Sequence, residues 1–142
     1  MSYEYLEDIA TADIAFEARG KTIAEAFGNA AKATFNIITD IKNIKRETEK
    51  SLILETEDLE SLLFEWIDNL LFYWDSENLV FSVFDIGIEK TENGYKLKAI
   101  VKGEKFDPGK HTVKQNVKSP TYHLMKIRQE KGEWKLRMVI DI

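Results

Sequence analysis

The chain finishes on two neighbouring carboxylates. Asp141 is followed by Ile142, whose main-chain carboxyl group is the last of the sequence, and both follow the alternating run of residues 134–140. A strand ending in two carboxylates is half of a site for a hard cation, because Ca²⁺ and Mg²⁺ take oxygen ligands. The plainer reading is a last strand that ends on an aspartate. Asp13 is the candidate for the other half, since it closes the irregular residues 8–13 just ahead of an alternating stretch. An aspartate there also serves as an ordinary turn or cap residue. Three carboxylates around one point repel one another unless a cation, a proton or a basic side chain intervenes. With backbone carbonyls and waters completing the shell, this donor set suits Ca²⁺, Mg²⁺ or Mn²⁺ rather than Zn²⁺.

Other chemistries find less support. There is no cysteine, which excludes a disulfide framework, a thiolate nucleophile and a Cys-ligated zinc. The two histidines, His111 and His123, are too few for a multi-His metal site. His123 lies in an alternating run beside Tyr122 without an assignable nucleophile, and reads as a structural residue. Gly20-Lys21-Thr22 ends like a phosphate-binding loop, but Ala15 occupies the position of the required upstream glycine. Glu57, Asp58 and Glu60 are a solvated helix start or a docking patch for a basic surface. A net charge of -5 leaves no basic field for nucleic acid, so any work on RNA goes through another protein. The aromatic residues sit at core-facing spacings and offer no platform for stacking bases. The start of the chain carries no leader pattern and no apolar run approaches a membrane span, so the protein is read as cytoplasmic, without a membrane partner.

The elements that must position these groups follow from periodicity. With 142 residues and 44% hydrophobic content the chain suits one compact domain. Residues 3–7 and 14–19 alternate as strands, and residues 8–13 break the pattern as a loop. Thr22 with Glu25 is a capping-box pattern, and Ile23, Ala26, Phe27, Ala30, Ala31, Thr34, Phe35 and Ile38 form one helical stripe. Its alanines predict close packing on a sheet, and the helix should fail near Thr39-Asp40. A charged linker leads to a strand over residues 51–55. Thr56-Glu57-Asp58 opens a second helix with Leu59, Leu62, Leu63, Trp66, Ile67, Leu70, Leu71 and Trp74 on its buried stripe. Residues 79–90 and 95–105 are strands joined by Glu92-Asn93-Gly94, where Asn-Gly supplies positive φ. Residues 111–118 are polar and read as extended or mobile. Residues 121–130 form a strand with His123, Met125 and Ile127 on one face, and Lys131-Gly132 turns into the last strand.

The order strand, helix, strand, strand occurs twice. Residues 45–105 contain it once, and residues 14–39 with 121–140 contain it again around the first. The predicted fold is α+β, two nested strand-helix-strand-strand units with two amphipathic helices packed on β-sheet. The outer unit takes residues 1–42 and 112–142, and the inserted unit residues 43–107. Closing the outer sheet brings Asp13 near Asp141.

The same residues carry a family resemblance. Thr11-Ala12-Asp13-Ile14 and Gly20-Lys21-Thr22-Ile23-Ala24-Glu25-Ala26-Phe27 resemble the opening of the archease family. Residues 55–63 with Trp66 resemble its middle helix, and Lys118-Ser119-Pro120-Thr121-Tyr122-His123 with Asp141-Ile142 its ending. Two positions depart from the usual pattern: Ala10 stands where the family carries His, and Pro120 where it carries a small or aliphatic residue. The resemblance implies an accessory protein, not an enzyme, that activates an RtcB-type RNA ligase in tRNA splicing. Activation comprises guanylylation of the ligase's histidine, multiple turnover and broader nucleotide use. It also implies a nested fold and a divalent metal, Ca²⁺ foremost, held by Asp13, Asp141 and the carboxylate of Ile142. The competing functions are a chaperone-like interaction domain without metal dependence, and a metal-dependent hydrolase for which only His123 offers acid-base chemistry.

Overall fold

The computed structural model describes residues 2–7 and 13–142, so all but Asp13 of the loop predicted at residues 8–13, the Ala10 position included, lies outside the described residues, and Asp13 itself opens a strand. The strands are β1 (Tyr3–Leu6), β2 (Asp13–Gly20), β3 (Thr48–Thr56), β4 (Leu79–Lys90), β5 (Tyr95–Lys105), β6 (Ser119–Glu130) and β7 (Glu133–Asp141). The helices are α1 (Ile23–Ile38) and α2 (Leu59–Glu77), with a short 3-10 turn at Ile41–Asn43. Pairing divides the strands into two antiparallel sheets, ordered β1-β2-β7-β6 and β3-β5-β4. The first sheet is built from both ends of the chain and the second from its middle, which is the α+β nesting that the element order predicts.

Local chemistry sets the helix ends. Thr22 Oγ1 accepts from the Glu25 amide at 3.1 Å, and Asp58 caps α2 by accepting from the Ser61 amide at 2.7 Å. Asn78 closes α2 in the left-handed region at φ 56, which asparagine tolerates better than most residues. Each helix touches both sheets. The α1 helix packs on β1, β2 and β7 and also on β4, and α2 packs on β3, β4 and β5 and also on β6. The alanines at 26, 30, 31 and 33 are fully buried, which lets two layers approach α1 at once. Trp66 joins the helices: it is fully buried and its Nε1 donates to the Phe27 carbonyl at 3.0 Å.

Three expectations change. β3 begins at Thr48 rather than at residue 51. The Asn93-Gly94 turn has no positive φ; the hairpin with left-handed residues is Lys131-Gly132, at φ 51 and 76. Gly94 is needed for space instead, since a Cβ there would lie 2.1 Å from the Thr56 carbonyl oxygen. The face assigned to His123, Met125 and Ile127 does not exist as one row. Register shifts between Thr121 and Lys126, so four β6 residues oppose the single residue Met138 of β7. Leu124 takes φ 55 within this bulge, and its carbonyl accepts from Arg137 Nε at 2.9 Å.

Trp66→Ala should lower unfolding free energy by about 3–5 kcal/mol, from the lost volume and the lost indole hydrogen bond to α1. Urea denaturation checks this, and a loss below about 1 kcal/mol would contradict the joint assigned to this residue.

Candidate functional site

β7 is the spine of the candidate site because it pairs on both sides. Its inward residues Leu136, Met138 and Ile140 are fully buried, which forces Lys135, Arg137, Val139 and Asp141 onto the other face. Asp13 of β2 is directly opposite Asp141. From the other side, the Lys118 amide donates to the Asp141 carbonyl at 2.9 Å and anchors the start of β6. Ile142 packs its side chain against the core and directly follows the last residue of β7. Asp13, Asp141 and Ile142 are all half-buried. The first two are thus brought together by register, and the third adjoins Asp141 by sequence.

The rest of this face has its charges matched. Arg19 pairs with Glu4 at 2.7 Å and Glu17 at 3.2 Å. Arg128 pairs with Glu17 at 3.3 Å and Glu130 at 3.2 Å, and Lys135 with Glu130 at 3.2 Å. Arg137 is engaged by the bulge carbonyl. Among the described residues, no Lys or Arg forms an ion pair with Asp13 or Asp141. Two like charges directly opposed across a strand pair are destabilising. Among the described residues no group of three or more His, Cys, Asp or Glu side chains could hold a metal. A cation here would rest on two aspartates with other oxygens, which suits hard ions that accept carbonyls and water.

His123 is exposed on the β6 bulge, away from any paired nucleophile. His111, expected in a plain polar stretch, is instead 3% exposed. Its Nδ1 accepts from the Asp107 amide at 2.8 Å, leaving Nε2 to face Glu104 Oε2 at 3.0 Å and the Asn43 carbonyl at 3.2 Å. Glu104 also accepts from Lys110 Nζ and the Lys45 amide, each at 2.7 Å. This knot fastens residues 106–111 to the linker after α1. Thr39 Oγ1 donates to the Thr112 carbonyl at 2.8 Å and the Lys114 amide to the Ile38 carbonyl at 2.8 Å. The path into β6 is therefore tied down along its length. A histidine two residues after Pro-Gly was the only hint of this in the sequence.

With the geometry described, the comparisons with known proteins define first a class: small α+β proteins of two interlocked sheet-and-helix units. The profile of the Archease protein family matches residues 3–142, and this chain belongs to that family. It is 41% identical to Protein archease of Methanosarcina mazei, covering 99% of this chain and 95% of that one. It is 45% identical to Protein archease of Pyrococcus abyssi, covering 93% and 94%. Among solved structures, the solution structure of protein 1598 of Methanobacterium thermoautotrophicum superposes with a TM-score of 0.87 at 35% identity, covering 99% of both chains. A Thermotoga maritima crystal structure, described as an archease and possible chaperone, shares the fold at TM-score 0.62 and 24% identity, covering 94% of this chain and 93% of that one. Among the described residues no helix is long and apolar enough to cross a membrane.

The Glu104 knot has a pH signature. Burial works to raise its pKa, but hydrogen bonds from Lys110, the Lys45 amide and His111, with the Lys110 charge, outweigh it and hold the carboxyl at about 2 against an ordinary 4.5. A folded pKa below the unfolded one means that this contribution is complete above 4.5 and lost as pH falls toward about 2. Thermal unfolding should therefore show wild-type stability falling more steeply than that of Glu104→Gln across that window. Parallel profiles would remove Glu104 as the source.

Proposed function

We propose that this chain is a metal-binding accessory protein that activates an RtcB-type RNA ligase in tRNA splicing, and is not itself a catalyst. In this role it promotes guanylylation of the ligase, supports multiple turnover and broadens the nucleoside triphosphates used. It works in the cytoplasm beside the ligase. The observation that carries the reading is the unrelieved Asp13–Asp141 pair across β2 and β7. Family membership over residues 3–142 supports it, and so does a net charge of -5, which leaves the RNA to the ligase.

Asp13, Asp141 and the terminal carboxylate of Ile142 would hold the cation, with Ca²⁺ ahead of Mg²⁺ or Mn²⁺. A divalent cation there supplies positive charge that can offset charge developing on a transferred phosphoryl group. The protein's own part is positional. The pairing of β7 on two sides keeps Asp141 on the face opposite Leu136, Met138 and Ile140.

The test is a guanylylation assay of the ligase with Asp13→Ala, Asp141→Ala and a C-terminally extended chain. Each should reduce activation by about tenfold to a hundredfold, the range for losing a group that supports a metal. Wild-type activation by all three would overturn the metal-based mechanism. A second reading, a chaperone-like interaction domain, draws on the exposed Phe72, Tyr122 and Leu124. It requires suppression of aggregation of unrelated proteins without divalent cations.

A further inference from the structure

The sheet of the inserted unit has one face turned away from the core. Leu97, Ala99 and Val101 of β5 are buried in that core, so Lys96, Lys98, Ile100 and Lys102 point the other way. Register places Ile53 of β3 and Gly87 of β4 on either side of Lys98, and Asp85 of β4 beside Ile100. Ile53 is 65% exposed and Ile100 40%. Gly87 adds a hollow, since a Cβ there would meet no atom within 4 Å. The shallow depression over these residues measures about 450 Å³.

Charges flanking the depression are matched within the chain. Lys96 pairs with Glu55 at 3.6 Å and Lys102 with Glu49 at 4.0 Å. Inside it they are not. Among the described residues, neither Lys98 nor Asp85 takes part in an ion pair, and both are exposed. Because Lys98 opposes Gly87 and Ile100 opposes Asp85, these four residues are the corners of a quadrilateral. The lysine and the aspartate occupy one diagonal, and Gly87 and Ile100 the other.

We propose that this face binds a second copy of the chain, about a two-fold axis running through Gly87 and Ile100. A two-fold interface must be self-complementary, each residue meeting one that meets it in return. Turning a copy over about that diagonal lays Lys98 of each copy over Asp85 of the other. The same operation sets Ile100 against Ile100 and Gly87 against Gly87, where the missing side chains let the backbones approach. The strands of the two sheets then cross steeply, close to the orthogonal class of sheet packing. One cation and one anion per copy select a second copy over a uniformly acidic or basic surface, which would satisfy one group and repel the other. The patch is small, so association falls at the weak end of interface sizes and rises with concentration. It belongs to the β3-β5-β4 sheet, whereas Asp13 and Asp141 belong to the other, so it stands apart from the metal reading.

Sedimentation equilibrium of the full chain at concentrations up to about 1 mM, the range of weak complexes, tests this. The wild type should pass from monomer to dimer as concentration rises, and added salt should shift it back toward monomer. Lys98→Glu and Asp85→Lys should each weaken dimerisation by about tenfold or more, because each sets like charges against one another. Mixing the two variants should restore a dimer, since Glu at 98 then meets Lys at 85 and Asp85 meets Lys98. That rescue separates lost contact from lost folding. A wild type that stays monomeric throughout would overturn the proposal. So would a dimer indifferent to both reversals, or a mixture that associates no better than either variant alone.

Discussion

The register of β7 between β2 and β6 is the constraint on which the other features depend. Side chains of a strand alternate, so a slip of one residue would exchange its faces. Leu136, Met138 and Ile140 would then leave the shared core, which Val139 of the opposite face does not join, at about 1.5–3 kcal/mol for each side chain. Opposing Asp13 to Asp141 costs roughly 0.2–1 kcal/mol as a cross-strand pair of like charges. The apolar face therefore wins, and the two carboxylates are held together by hydrophobic burial rather than by any attraction between them.

The interlocking of the two units serves the same end. Because α1 and α2 each contact both sheets, neither sheet has an independent core, and Trp66 couples the helices through its hydrogen bond to the Phe27 carbonyl. Phe64 and Tyr122 stack with centroids 4.4 Å apart and planes at 5°, which attaches β6 to α2 just beyond the carboxylate row. At the opposite approach, the Glu104–His111 knot and the bonds from Thr39 and Lys114 fasten residues 106–118 before they reach β6. An edge strand with both approaches fastened can present a side chain at a fixed place.

Much of the fold was legible because its signals are local. The Thr22 and Asp58 caps, the helical stripes and the alternation of β2 and β7 each lie within one stretch of sequence. The hairpins were harder. Asn93-Gly94 has the composition of a left-handed turn, yet the positive φ angles fall at Lys131-Gly132. Gly94 answers a steric demand made by Thr56, 38 positions away by their numbering. The bulge after Thr121 had no local signal either, because it reconciles β6 with both β7 and α2.

The sequence by itself determined the element order and the nesting of one strand-helix-strand-strand run inside the other, since residue type and periodicity suffice for these. Tertiary structure alone decided that Asp13 and Asp141 share one face in direct register. It also decided that His111 is a buried structural residue. The reason is physical: register between strands more than 100 residues apart is set by which apolar faces can be buried together, and no local pattern records that choice.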